Sequence, residues 1–352
     1  MLPTMKRLIP VIVLFATAPF AGALNVVLDY SLDAANGNFF GTTPLAKAAV
    51  DAAAADIGAV IVQSLGAVTT DVYNGVNGST TATFDWSLTY PNPATGATNT
   101  LPTFSFAANT VKIFVGLRPL TGTTLGIGGP GGAGVSAGIS GFPSEFAGAV
   151  ANAQTASNAA MPRGGGPLMG SLSGSLGSTP YTINYGAMVG SLSFDNDTNN
   201  DSIVDDAATM AASWHYDRTT AVAPGKNDLY SVALHEILHS IGFGTAQTWT
   251  NLHTGATWNG TNATALNSGI AVGLSADQSH IIDSFASTRL SDGATQEVVM
   301  DPSLTVGTRK SLTKMDLAFL RDIGYATVPE PSAMLLVLAG CAGLLSRRAR
   351  RS

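Results

Sequence analysis

Thiols and charge are scarce in this chain. Of 352 residues one is cysteine and 11% are charged, against 45% that are apolar. A single thiol closes no intrachain disulfide, and Cys341 sits in an apolar run near the C-terminus. Neither a disulfide-stapled scaffold nor a cysteine nucleophile in the main body is therefore available. The apolar fraction is too high and the charge too low for an ordinary disordered chain, and the length allows one large domain or two small ones. Histidine and glutamate are also rare, at five and four residues, so any pattern that joins them is informative.

At the start, Lys6 and Arg7 precede the apolar stretch Leu8 to Phe20, which closes on Ala21-Gly22-Ala23. A basic flank, a short apolar core and a small-residue ending read as a secretory signal peptide cut after Ala23, with a membrane anchor as the alternative. At the other end, Val328-Pro329-Glu330-Pro331-Ser332 leads into an apolar stretch from Ala333 to Leu345 and then Arg347, Arg348, Arg350 and Arg351. This three-part tail resembles the PEP-CTERM sorting signal of bacterial envelope and exported proteins. Its apolar part is shorter than the ~20 residues that span a bilayer comfortably, and its arginines would hold the C-terminus in the cytoplasm. The resemblance implies export across the inner membrane, to the cell envelope, the cell surface or the medium. Export machinery and an exosortase-like processing enzyme are then partners, and the tail is a transient anchor; a permanent anchor would give the same topology. The expected organisation is a signal peptide at 1–23, a body at 24–328 and a sorting tail at 329–352.

The body carries 11 lysines and arginines against 22 aspartates and glutamates, a formal charge of −11. Such a surface repels phosphate backbones and anionic headgroups, which argues against nucleic acid as a partner. Asn25 to Tyr30 reads as a strand. Thr43 and Pro44 then open an alanine-rich helix that ends at Gly66, with Ile57, Val60, Ile61 and Leu65 on one face. Strand patterns at Thr83 to Tyr90 and Val111 to Leu117 suggest a sheet crossed by that helix. Glycine, serine and proline dominate Thr121 to Gly138 and Arg163 to Thr179, which read as loops on either side of a helix over Ser144 to Ala160; a strand pattern resumes at Tyr181 to Phe194. No internal repeat is evident.

Asp195, Asp197, Asn199, Asp201 and Asp206 place oxygen side chains at the spacing of a calcium loop. Asn200 stands where that loop needs glycine, and Asp206 is shorter than the usual twelfth ligand, glutamate. A solvated acidic turn fits this stretch better, with Ca2+ as the alternative occupant.

The informative segment runs from Asp228 to Gly244 and contains His235-Glu236-Ile237-Leu238-His239. Asp228 can cap a helix whose apolar side is Leu234, Ile237, Leu238 and Ile241. Histidines four apart leave one helical face a turn apart, where two imidazole nitrogens can meet at one zinc ion. Glu236 beside them is placed to act as a general base. With so few histidines and glutamates, composition alone would produce this pattern in roughly one such chain per thousand. A catalytic zinc takes three protein ligands and keeps one position open.

The continuation Gly242-Phe243 is similar to the start of the metzincin zinc-peptidase motif, but Thr245 stands where the commonest metzincin spacing has its third histidine. Leishmanolysin-like metzincins place an insertion after the glycine turn. Trp258-Asn259-Gly260-Thr261-Asn262-Ala263 resembles a segment of that insertion, and Ser279-His280-Ile281-Ile282-Asp283-Ser284 resembles the segment carrying its third histidine, with Ile281 for Trp and Asp283 for Glu. Val299-Met300-Asp301-Pro302 resembles the Met-turn, and Asp316 to Tyr325 resembles the closing helix, which Thr313 and Asp316 can cap and Gly324 can end.

The resemblance implies an α+β metzincin-like fold: a twisted mixed sheet with a long packing helix, an HExxH helix, a Met-turn and a C-terminal helix. The sheet-rich upper half would be 24–227 and the zinc-binding lower half 228–327. It also implies a zinc endopeptidase acting on protein or peptide substrates, with His235, His239 and His280 on the metal and Glu236 as base. An edge strand within Tyr181 to Phe194 would take the substrate by strand addition. His253 competes with His280 as third ligand, Glu297 would serve in a gluzincin arrangement, and His215 reads as a structural or cleft-lining residue. A non-catalytic envelope or matrix protein with a structural metal site is the alternative function.

Overall fold

The computed structural model describes residues 22–62 and 65–328. Most of the expected signal peptide, the whole sorting tail and Cys341 lie outside the described residues. Among the described residues no helix is long and apolar enough to cross a membrane.

The fold is mixed α+β. In order it contains β1 (Asn25–Asp29), α1 (Pro44–Val60), β2 (Val72–Asn77), β3 (Thr80–Pro91), β4 (Thr98–Leu101), β5 (Thr110–Arg118), β6 (Gly126–Pro130) and β7 (Gly132–Ser140). There follow α2 (Phe146–Ala160), β8 (Leu168–Leu176), β9 (Thr179–Gly186), β10 (Val189–Asp195), α3 (Ala207–Ser213), α4 (Leu229–Ser240), α5 (Thr261–Leu266) and α6 (Lys314–Asp322). The first sheet has the order β1-β5-β10-β6, parallel except for β6, which runs antiparallel along β10 and forms an edge. In a second sheet β3 pairs antiparallel with β2, β4 and β7, while β8 and β9 form a hairpin.

Pro44 occupies the first turn of α1, where its missing N–H costs nothing, and Thr43 makes no side-chain cap. Ala46, Ala49, Val50, Ala53, Ala54 and Ile57 are buried, and these small side chains let α1 lie close to β1 and α4. The helix ends at Val60 rather than Gly66. Ile61 is already extended, and residues 60–62 exchange hydrogen bonds with Leu24, Ala326 and Val328. The β-branched run Val60-Ile61-Val62 favours that extended pairing over another helical turn.

The two glycine-rich stretches expected to be loops are largely strands, and packing explains their composition. A Cβ on Gly128 would stand 2.2 Å from the carbonyl oxygen of Glu236, and one on Gly126 would stand 2.8 Å from Val232, so β6 lies directly on α4. In the hairpin, Gly170 pairs with Tyr185 and Gly174 with Tyr181, and each tyrosine ring covers its glycine. The expected strand Tyr181 to Phe194 is two strands, β9 and β10, which belong to different sheets. Because β10 is enclosed by β5 and β6, the edge of the first sheet that lies beside α4 belongs to β6; within Tyr181 to Phe194 only the hairpin strand β9 keeps an unpaired side.

Two apolar clusters hold these layers. The smaller joins the second sheet, α2 and the hairpin around Phe84, Trp86 and Ile183. The larger joins α1, the first sheet, α4 and α6, and includes Phe194, Trp214, Phe243 and Phe319. Every residue of α4 except His235 is buried. A helix so enclosed is a rigid mount for whatever projects from it.

Candidate metal centre

The start of α4 is pinned by Asp228. Its carboxylate accepts the Ser231 N–H at 3.1 Å and the Ser231 hydroxyl at 2.7 Å, and Arg309 grips both its oxygens at 2.7 to 3.1 Å. The pair sets a nearly fully buried carboxylate against a guanidinium at the positive end of the helix. The helix ends where Gly242, at φ +114°, takes a conformation costly for other residues. Gly244 follows at φ +73°, and a Cβ there would stand 2.2 Å from the carbonyl oxygen of Ser279. The glycine turn therefore carries the chain against the loop that bears His280.

The Nε2 atoms of His235, His239 and His280 lie 3.0 to 3.1 Å from one another. Each Nδ1 has a partner: Val299 O at 2.9 Å for His235, Phe243 O at 2.8 Å for His239 and Asp277 Oδ2 at 2.8 Å for His280. Carbonyl and carboxylate oxygens only accept, so each Nδ1 carries the hydrogen and each Nε2 presents a lone pair. Three acceptors facing one another with no donor between them repel. A shared cation would turn that repulsion into attraction, and three imidazole nitrogens suit zinc as they suit other first-row divalent metals. The donor set thus fits zinc, with a partner behind every ligand that sets its tautomer and ring direction. Burial, and then the neighbouring rings, push His235 well below the usual imidazole range; burial and His280 lower His239 to about 4. His235 and His239 can therefore stay neutral well into acid. At Asp277 burial opposes ionisation but is outweighed by hydrogen bonds from Ser275 and Ser279 and by His280, which bring the carboxyl to about 2.

Glu236 is buried beside this cluster, and Gly128 N–H donates to its Oε2 at 2.6 Å. Burial raises its carboxyl to about 8, against the opposing pull of that N–H; a cation at the histidines would draw it down again. A cavity of about 720 Å3 opens from His235, Glu236 and His280 along α4, walled by Gly126, Val232 and Leu304.

Distant elements support the same point. The Asp322 carboxylate accepts from Trp258 Nε1, the Asn262 N–H and side-chain amide, and the Ala263 N–H, which ties residues 258–263 to α6. Asp316, capping α6 together with Thr313, also takes the N–H groups of Val299 and Met300. The bend at Met300 then offers Val299 O to His235 and Met300 O to the Ile281 N–H.

The remaining sequence candidates lie elsewhere. His253 bonds Gly255 O and takes no part in the cluster. His215 bonds Asp217 O, and Glu297 pairs with Lys310 at 3.2 Å. In the acidic turn, Asp195 accepts the Leu120 and Asp197 N–H groups, Asp197 accepts those of Asp201 and Ser202, and Asp206 caps α3 through Thr209. Asp195 and Asp197 are buried, so the turn is anchored rather than fully solvated. Sequence reasoning missed Asp277 and Gly128. The spacing of Asp277 three residues before His280 was visible, but nothing marked which aspartate would turn toward the ring.

Scans of the chain against protein-family models, curated proteins and solved structures found no match.

Proposed function

We propose that this chain is an exported zinc-dependent endopeptidase of metzincin type, in the leishmanolysin-like arrangement that draws its third histidine from beyond an insertion. The observation that carries the reading is the convergence of three Nε2 lone pairs beside a buried carboxylate at the head of a cleft. A bound zinc ion would polarise the scissile carbonyl and acidify water, the two demands of peptide hydrolysis. His235, His239 and His280 would hold it, and three protein ligands rather than four favour a catalytic over a structural site. Glu236 takes the proton from the attacking water and hands it to the leaving amine. The open edge of β6 receives the substrate main chain by strand addition, and side chains enter the cleft along α4. Export machinery and an exosortase-like enzyme remain its proposed handling partners.

The test is metal analysis of the purified protein together with casein or gelatin digestion with and without a chelator. One zinc per chain and chelator-sensitive cleavage are expected. Glu236→Gln should keep the zinc and lower turnover by about 10^2- to 10^4-fold. Full activity in that variant refutes the role of Glu236, and zinc retention with no peptide hydrolysis in the native protein supports a structural metal site instead.

A further inference from the structure

At Gly128 the open edge of the first sheet touches the candidate base. Gly131 N–H bonds Val189 O and Asp195 N–H bonds Leu125 O, so odd positions of this stretch face β10. Alternation turns the main-chain groups of Gly126, Gly128 and Pro130 outward. Pro130 has no N–H, so β6 offers two outward donors. One is occupied, because Gly128 N–H is held by Glu236 Oε2 at 2.6 Å. The close seating of β6 on an enclosed helix builds this contact into the fold: any side chain at 128 would strike the backbone of Glu236.

We propose that Gly128 N–H is a positioning group that parks Glu236 on the peptide-binding edge until a main-chain carbonyl of an extended peptide takes its place. The proposal rests on the peptidase reading and deepens it, since it names the substrate feature that readies the site. In the exchange no covalent bond changes. The N–H keeps its hydrogen and swaps a carboxylate acceptor for a peptide oxygen, and the freed carboxylate can turn toward the scissile bond. A peptide that fits the cleft but lacks an acceptor opposite position 128 binds and leaves the base parked, so main-chain recognition and turnover are one event.

Ile127–Gly128 is one of four Ile–Gly pairs in the chain, so carbonyl-13C isoleucine with 15N glycine isolates its amide among four signals. In the full-length zinc-loaded protein, Glu236→Ala should shift this amide upfield and move the other three less. Glu236→Gln still offers an acceptor but cannot serve as base. Tryptic casein peptides added to that variant should shift the Gly128 signal as the acceptor is exchanged. In the native enzyme, a substrate whose carbonyls are replaced one at a time by thiocarbonyls should show one non-scissile position with a particular split. There kcat falls about tenfold or more while KM changes less than about threefold. The proposal is overturned if the Gly128 amide ignores Glu236→Ala, if it ignores casein peptides, or if every thioamide effect falls on KM. Absence of peptide hydrolysis alongside a responsive Gly128 amide would instead refute the peptidase reading and leave the parked contact standing.

Discussion

The histidine cluster and the acidic turn at 195–206 both carry metal-ligand side chains at suggestive spacings, yet the folded chain uses their lone pairs in opposite ways. In the turn, main-chain N–H groups of residues 120 and 197 bond one oxygen of Asp195, those of 201 and 202 bond both oxygens of Asp197, and Asp206 serves α3. Among the histidines, hydrogen bonds consume only the outer nitrogens and leave the inner three aimed at one point. Side-chain type alone does not distinguish a metal centre from a capped loop. What distinguishes them is whether the protein itself has already satisfied the donor atoms.

That contrast can be broken by substitution. His239→Ala should have the largest effect, lowering zinc from about one per chain to under about a tenth and peptide hydrolysis by about 10^3-fold or more; metal analysis and a cleavage assay read both, and near-normal zinc would remove the cluster from consideration. Next comes Asp277→Ala, which should weaken zinc about 10- to 100-fold in a competition titration, with Asp277→Asn recovering part because its amide oxygen still accepts from His280. Asp197→Ala should leave zinc content untouched and cost about 1–3 kcal/mol in denaturant unfolding, because two N–H groups lose their acceptor. A drop in zinc there would join the two regions into one site. Smallest of all, millimolar calcium should leave the melting temperature of the zinc-loaded protein essentially unchanged. A clear rise would show that the turn can still recruit a cation despite its internal bonds.

Much of the centre was readable before folding was considered. The spacing of His235 and His239 is a property of one helix, as are the caps at Asp228 and Thr313 and the turns at Gly242 and Gly324, and all of these appear where local chemistry places them. His280, 41 residues from His239, was reached only through likeness to a known insertion, and the fold sets it 3.0 Å from both partners. The strand at the edge of the first sheet beside α4 was read as a loop. Glycine reads as loop when no neighbour is known, whereas at 126 and 128 it answers the pressure of α4 and at 170 and 174 it lies beneath tyrosine rings.

The linear order of residues thus settles what a single turn of backbone can arrange: the helical pair of imidazoles, the carboxyl group beside them, the capped ends. Folding settles whatever depends on a partner far away in the chain. It brings in the third ring, gives each ring its hydrogen-bonded backing, and reveals the glycine stretch as the strand that holds Glu236. The reason is range. Dihedral preferences and side-chain spacing act over a few residues, while a lone pair is satisfied or left free by atoms that only packing brings within 3 Å.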